Sequence, residues 1–349
     1  MPAGQTNKIC INNGATWGTA ISSNFAGAGI LAASFDVDTT RESTAVEAMG
    51  MTVAGQRNAS TLACSGNLSA PFTYNHMPRL FSLFAADTKV TGSSPYTHTF
   101  SAPTTNRNMF ITVAELIQNV GGADKYREVN SAVGTSFSIS GDINSTIQCS
   151  FDLLADKLVT PATVNTALGT ATLPATNSFV RMGCGDSDFF KIADQGSDPA
   201  ELAIAGFTFT YNVPREGGDY DTGSATIGLP DETGAHSCTL EIRLSKLATT
   251  DHAADLLTDQ ASNAILTFPT TTVGTVACLA TLKLPHLRLV STPSPTSGPG
   301  KLTQTLTYDV LADDASSANA HSNAQTTGGV AWELAVTNSD AGDYDSALS

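Results

Sequence analysis

This sequence predicts a mainly β protein made of two tandem antiparallel β-sandwich or barrel domains, each with one flanking helix. Three observations predict it. The residue mix is only 14% charged and rich in Thr, Ser, Ala and Gly, the palette of short strands joined by turns. Apolar and polar residues alternate with a period of two, the mark of strands with one buried face. The two halves of the chain also repeat one another, so the fold of one should be the fold of the other.

The repeat is anchored at two places. Ser34-Phe35-Asp36-Val37 followed by Arg41-Glu42 aligns with Thr208-Phe209-Thr210-Tyr211 followed by Arg215-Glu216, at an offset of 174 residues. The same offset carries Cys64 onto Cys238, Leu68 onto Ile242 and Leu83 onto Leu257. Further on, Phe151-Asp152-Leu153-Leu154-Ala155-Asp156 aligns with Tyr308-Asp309-Val310-Leu311-Ala312-Asp313 at an offset of 157, so the second copy is shorter between its anchors. Around these anchors Ile147, Cys149, Phe151 and Leu153 alternate with polar residues. Leu240, Ile242 and Leu244 do the same, as do Leu306, Tyr308 and Val310. Strands with one wet face belong to antiparallel sheets.

One segment in each copy reads as a helix, residues 75–84 and 250–257. Asn75 or Met77 is expected to cap the first ahead of Pro78, and Thr250 or Asp251 the second. Thr-, Ala- and Pro-rich residues 157–178 and the Ser/Pro/Gly run 291–300 read as linkers. The expected domains are therefore 1–174 and 175–314, with 315–349 as a C-terminal arm or extension.

Charge narrows the function classes. Acidic residues outnumber basic ones 32 to 17, a net charge of −15, and the second half carries most of the excess. Such a chain should repel nucleic acid rather than grip its phosphates. No apolar run is long enough to cross a bilayer, and Met1-Pro2-Ala3-Gly4 does not open a leader, so the expectation is a soluble product made in a cytoplasm. The six cysteines are scattered without metal-ligand spacing and read as buried thiols.

Chemistry is expected to be absent. Gly183-Cys184-Gly185-Asp186-Ser187-Asp188 offers a serine beside carboxylates, and Asp186 and Asp188 could supply oxygens to calcium. No base follows in a triad spacing, and a turn between repeats is the better account. Gly27-Ala28-Gly29-Ile30-Leu31-Ala32 lacks the preceding buried strand of a dinucleotide site, and Gly298-Pro299-Gly300-Lys301 lacks the hydroxyl of a phosphate loop. The six histidines show no paired spacing. The expectation is no enzyme, no cofactor and no metal.

One string carries a resemblance. Gly18-Thr19-Ala20 leads to the acidic strand with its Arg-Glu pair, then Ser65-Gly66-Asn67-Leu68, the short helix, and Pro95-Tyr96-Thr97-His98-Thr99-Phe100. In this order, over roughly residues 15–315, the chain resembles the tail tube (major tail) proteins of long non-contractile bacteriophage tails. The second copy departs from the pattern, with Leu266-Thr267-Phe268-Pro269 after its helix. The resemblance implies a virion protein whose copies close into rings around a wide β-barrel, the rings stacking into a conduit for DNA. The family's rings hold about six domain-sized units, so two copies per chain imply a trimer with pseudo-sixfold symmetry, a hexamer being the other arrangement. Implied partners are the chain itself, a tape measure protein, and tail terminator or baseplate proteins. DNA would pass without specific binding. Candidate lumen-facing carboxylates are Asp36, Asp152, Glu216 and Asp309; candidate subunit contacts are Arg41, Glu42, Arg215 and Glu216. The alternative is another virion or surface assembly protein: a decoration protein, an adhesin or a secretion-tube protein.

Overall fold

The computed structural model describes residues 8–14, 16–19, 29–31, 34–46, 56–89, 94–105, 108–118, 122–159, 171–175, 178–183, 188–194, 197–217, 224–245, 252–292, 304–312, 326 and 329–345. The first copy runs β1 (Lys8–Asn13), β2 (Gly29–Ile30), β3 (Ser34–Phe35), β4 (Asp38–Val46), β5 (Gln56–Pro71), a 3-10 helix (Met77–Leu83), β6 (Ala86–Lys89), β7 (Tyr96–Ser101), β8 (Ile111–Ile117), β9 (Lys125–Asp142), β10 (Ser145–Thr146) and β11 (Gln148–Val159). The second runs β12 (Arg181–Met182), β13 (Phe190–Asp194), β14 (Ala200–Glu201), β15 (Gly206–Asn212), β16 (Arg215–Glu216), β17 (Asp231–Glu232), β18 (Ser237–Leu244), helix α1 (His252–Thr258), β19 (Ala261–Val273), β20 (Val276–Ser291), β21 (Gln304–Leu311) and β22 (Glu333–Asn338). The fold is mainly β, as the alternation predicts, and every strand pair is antiparallel.

Strand order repeats along with sequence. In the first copy neighbours run β1–β8–β9–β11–β5–β3/β4. In the second they run β13–β19–β20–β21–β18–β15. The registers refine the alignment. Leu68 faces Phe151 across β5 and β11, and Leu240 faces Tyr308 across β18 and β21. Phe35 faces Leu68, and Phe209 faces Leu240. Leu68 therefore corresponds to Leu240, not Ile242, and β5 maps onto β18 at an offset of 172. The expected match of Cys64 with Cys238 is corrected in the same way, since Cys238 stands where Gly66 does.

The two copies are fused. β9 is long enough to take β8 beside its first half and β15 beside its second, so the sheet of one copy continues into that of the other. Phe137 of β9, Phe209 and Tyr211 of β15 and Trp332 meet under this seam, Trp332 lying 5.4 Å from Phe137 and 5.2 Å from Tyr211 between ring centroids. One apolar cluster runs from Ile9 to Tyr344 and takes in both copies. The expected pair of domains thus shares a single core, because inward residues of both sheets alternate onto the same side.

The helices differ from expectation in detail. Residues 77–83 form a fully buried 3-10 helix with Pro78 in its first turn; His76 occupies the cap position at φ 63°, and no side chain caps it. Neither Asn75 nor Met77 serves as that cap. Thr250 and Asp251 lie outside the described residues. Gly134 lets the helix end approach: a Cβ there would fall 2.1 Å from the Phe84 ring. The hairpin between β19 and β20 turns at Gly274, where φ is +65° and a side chain would be strained.

The expected C-terminal arm needs correction. Residues 333–338 are β22, inserted between β20 and β7. In the first copy the long end of β11 covers β9; β21 is shorter, and β22 covers the part of β20 that it leaves open. Beyond β22 the chain is tied down by a buried polar network. His98 contacts the Asp87 carboxylate at 2.8 Å and the Asp340 carbonyl at 2.9 Å, and the Asn338 amide donates to the Tyr74 carbonyl. The Tyr96–Phe100 string is β7, and its His98 and Phe100 point into this region. No helix among the described residues is long and apolar enough to cross a membrane.

Candidate functional site: the polar face of the continuous sheet

Following the pairings outward from the seam gives an unbroken run: β20, β21, β18, β15, β9, β11, β5, and finally β3 with β4. Its core side is apolar. One register row there reads Tyr308, Leu240, Phe209, Ile139, Cys149 and Ala70, all buried. Side chains alternate across a strand, so the residues between these face the other way.

That other face is hydroxyl-rich. From β21 to β3 a single row reads Asp309, Thr239, Thr210, Ser138, Ser150, Ser69 and Ser34. The next row runs Asn212, Ser136, Asp152 and Asn67, and reaches Asp36 through its backbone bond to Asn67. Three of the expected lumen carboxylates, Asp36, Asp152 and Asp309, therefore share this face. Asp152 and Asp309 hold equivalent places on β11 and β21.

Geometry holds these carboxylates in place. The Asn67 side-chain amide donates to Asp152 Oδ1 and to Ser150 Oγ, both at 2.7 Å, while the Ser136 hydroxyl donates to Asp152 Oδ2. The Asn67 backbone N–H donates to Asp36 Oδ1 at 2.5 Å. These two acids border an open groove of about 520 Å³, walled also by Gly66, Thr135 and Arg215. Two arginines near the same face are already paired, Arg243 with Asp142 and Arg288 with Asp259. No described cation bridges Asp36, Asp152 or Asp309. The face is polar, with an excess of unneutralised negative charge.

The Arg-Glu pairs separate. Arg41 is exposed on β4 opposite Leu62, and Glu42 sits where the β4–β5 register slips. Arg215 is buried: it donates to Glu232 Oε1 at 2.7 Å and to the Pro230 carbonyl at 3.3 Å. Glu232 also meets His236 at 3.0 Å, and His236 meets the Tyr211 hydroxyl at 2.6 Å. Burial lowers the Arg215 pKa against the pull of Glu232, and burial, with Cys238 and Glu232 nearby, raises that of Tyr211. Arg215 is thus occupied within the chain by Glu232 and the Pro230 carbonyl. Glu216 is exposed on β16 opposite Asp231, off the eight-strand run.

Of the serine-bearing turn, Cys184 to Ser187 lie outside the described residues, while Asp188 is exposed and paired with Lys191 at 2.9 Å. The described cysteines are buried thiols; burial pushes that of Cys10 up to about 12 despite the pull of Lys8. The sequence reading missed Trp332 and β22, although Trp332, Leu334 and Val336 alternate. It also missed the hydroxyl row, which emerges only when register is known.

The sequence matches no protein-family model and no curated protein.

Proposed function

We propose that this chain is a structural protein of a long-tailed bacteriophage, the tail tube subunit, which closes into rings that stack into a conduit for DNA. The supporting observation is the hydroxyl row from Asp309 to Ser34: a continuous polar face crossing both copies on one side of a single sheet. A DNA conduit needs a wall that wets but does not grip. Ser and Thr hydroxyls keep water at such a wall, and unpaired carboxylates repel phosphate within a Debye length. Closing the sheet would also remove its exposed edges, which otherwise invite uncontrolled pairing.

Two copies per chain favour a trimer with pseudo-sixfold symmetry, in which three chains would bring about twenty-four strands into the wall. The working location is the virion, the partners are further copies, a tape measure protein and terminal tail proteins, and no catalysis is involved. Negative-stain microscopy of the purified protein tests this. Stacked annuli with a central hole are expected; uniform monomers at high concentration would sink the reading.

A further inference from the structure

The internal seam is a template for a joint between chains. At the seam β15 adds to the second half of β9, with Tyr211 opposite Phe137, Thr210 opposite Ser138 and Phe209 opposite Ile139. Each strand has a counterpart in the other copy. β15 corresponds to the stretch from β3 into β4, and β9 to β20. Those counterparts present unpaired edges among the described residues. β3 and β4 pair only with β5, and β20 has no partner beyond Arg288 on the side where β19 lies.

Transferring the seam through the observed registers gives specific pairs. Ser138 and Ser150 face each other as Ser291 and Thr307 do, so Ser291 stands for Ser138. Leu289 faces Tyr308 as Phe137 faces Phe151, so Leu289 stands for Phe137. Asp36 stands for Thr210 and Val37 for Tyr211. The faces agree: Val37 and Leu289 are buried, while Asp36 and Ser291 are exposed.

Apolar exposure marks the same place. Across the internal seam the end of the first helix covers β15, with Phe84 lying 6.5 Å from Tyr211 between centroids. The end of α1, which packs near β20, instead shows Leu256 at 37% and Leu257 at 87% exposure. Val290 at the end of β20 and Leu311 at the end of β21 are 51% and 43% exposed. Leu311 shares the polar face with Asp309, so three of the six large apolar side chains exposed among the described residues, Leu256, Leu257 and Val290, mark α1 and the end of β20. On the opposite edge, the Arg127 guanidinium donates to the Val37 carbonyl at 2.9 Å, leaving that oxygen one lone pair for a strand partner.

We propose that the β3–β4 edge of one chain adds antiparallel to the end of β20 of the next chain, with Asp36 opposite Ser291 and Val37 opposite Leu289. The occupant of the open edge is a second copy of this chain, and the proposal rests on the tube reading. The Asp36 backbone N–H turns inward to Asn67, so Asp36 and Ser291 would form a non-hydrogen-bonded pair, with Cα atoms about 4.5 Å apart and within disulfide reach. The test is the double variant Asp36→Cys with Ser291→Cys, oxidised under assembly conditions and run on denaturing gels. Reducible multimers up to ring size are expected, absent from either single variant. A second variant, Leu257→Asp, should lower ring yield at least tenfold while the melting of the monomer is unchanged. Wild-type rings by microscopy without the cross-link, or with Leu257→Asp assembling normally, would overturn this joint and leave the tube reading standing. Failure of the wild type to form any ring would overturn both.

Discussion

The same Arg-Glu pair begins the same connection in both copies and meets two fates. In the first copy β4 and β5 continue as a long two-stranded ribbon, and Arg41 lies exposed along it. In the second, β15 stops at Asn212 and the chain folds back through the two-residue strands β16 and β17, sealing Arg215 against Glu232. The folded-back connection then braces the ribbon. The Leu62 backbone N–H donates to the Ala225 carbonyl, and the Trp17 indole donates to the Ile227 carbonyl. What decides the outcome is the strand that follows: through the β5–β18 offset, Glu232 and His236 stand where the first copy has Ser60 and Cys64. Burying a guanidinium is costly without a compensating anion, and the second copy supplies Glu232 where the first has Ser60.

The copies also differ in how they cover β9 and its counterpart β20, and the largest expected effect tests that difference. The first copy covers β9 with its own β11, whereas the second borrows β22, which follows directly on the seam residue Trp332. Trp332→Ala should cost about 3–5 kcal/mol of unfolding free energy in denaturant titration, because the indole is fully buried at the seam. A loss under about 1 kcal/mol would mean that the C-terminal segment is a dispensable cover.

Next comes the Arg-Glu contrast itself. Glu232→Ala strands the buried Arg215 and should cost about 3 kcal/mol, while Arg41→Ala should stay within about 0.5 kcal/mol. Equal losses from the two would break the comparison. Urea midpoints of the two variants decide it.

The smallest effect is a pH dependence confined to one copy. Glu128 on β9, where the offset set by Gly134 and Leu287 places Thr281 of β20, has its pKa raised by burial. A carboxyl raised on folding binds its proton more tightly in the native state, so its stabilising contribution is complete below the unfolded value of 4.5. That contribution fades as pH rises through the folded value. Glu128→Gln should therefore flatten the fall in stability from pH 4.5 towards neutrality. Thermal melts of both proteins across that range would show it, and parallel curves would contradict it.

Much of the fold was legible because alternation survives in single sequences. Ile147, Cys149, Phe151 and Leu153 point inward as their spacing predicts, and Phe35 and Phe209 mark equivalent strands. The two-residue slip between β5 and β18 was invisible for a physical reason. A shift of two keeps every side chain on its own face, so Leu68 suits Ile242 and Leu240 equally until hydrogen bonds fix the register. β22 was hidden by its length of six residues and by its Ser-, Asn- and Gly-rich surroundings. Candidate site residues fared unevenly. Asp36, Asp152 and Asp309 were recognisable as polar positions on amphipathic strands, but that they share one face follows from cross-strand pairing. Arg215 looked like a surface residue because its partner Glu232 lies 17 residues further along the chain, beyond the reach of strand periodicity.

The account stands on two copies of one module completing a circle. An averaged end-on electron micrograph of a single ring tests this most directly. The account predicts a closed annulus of six near-equal lobes with true threefold symmetry, about one lobe per copy. A ring whose lobes are not multiples of the two copies per chain, or an open chain of subunits that never closes, would contradict it.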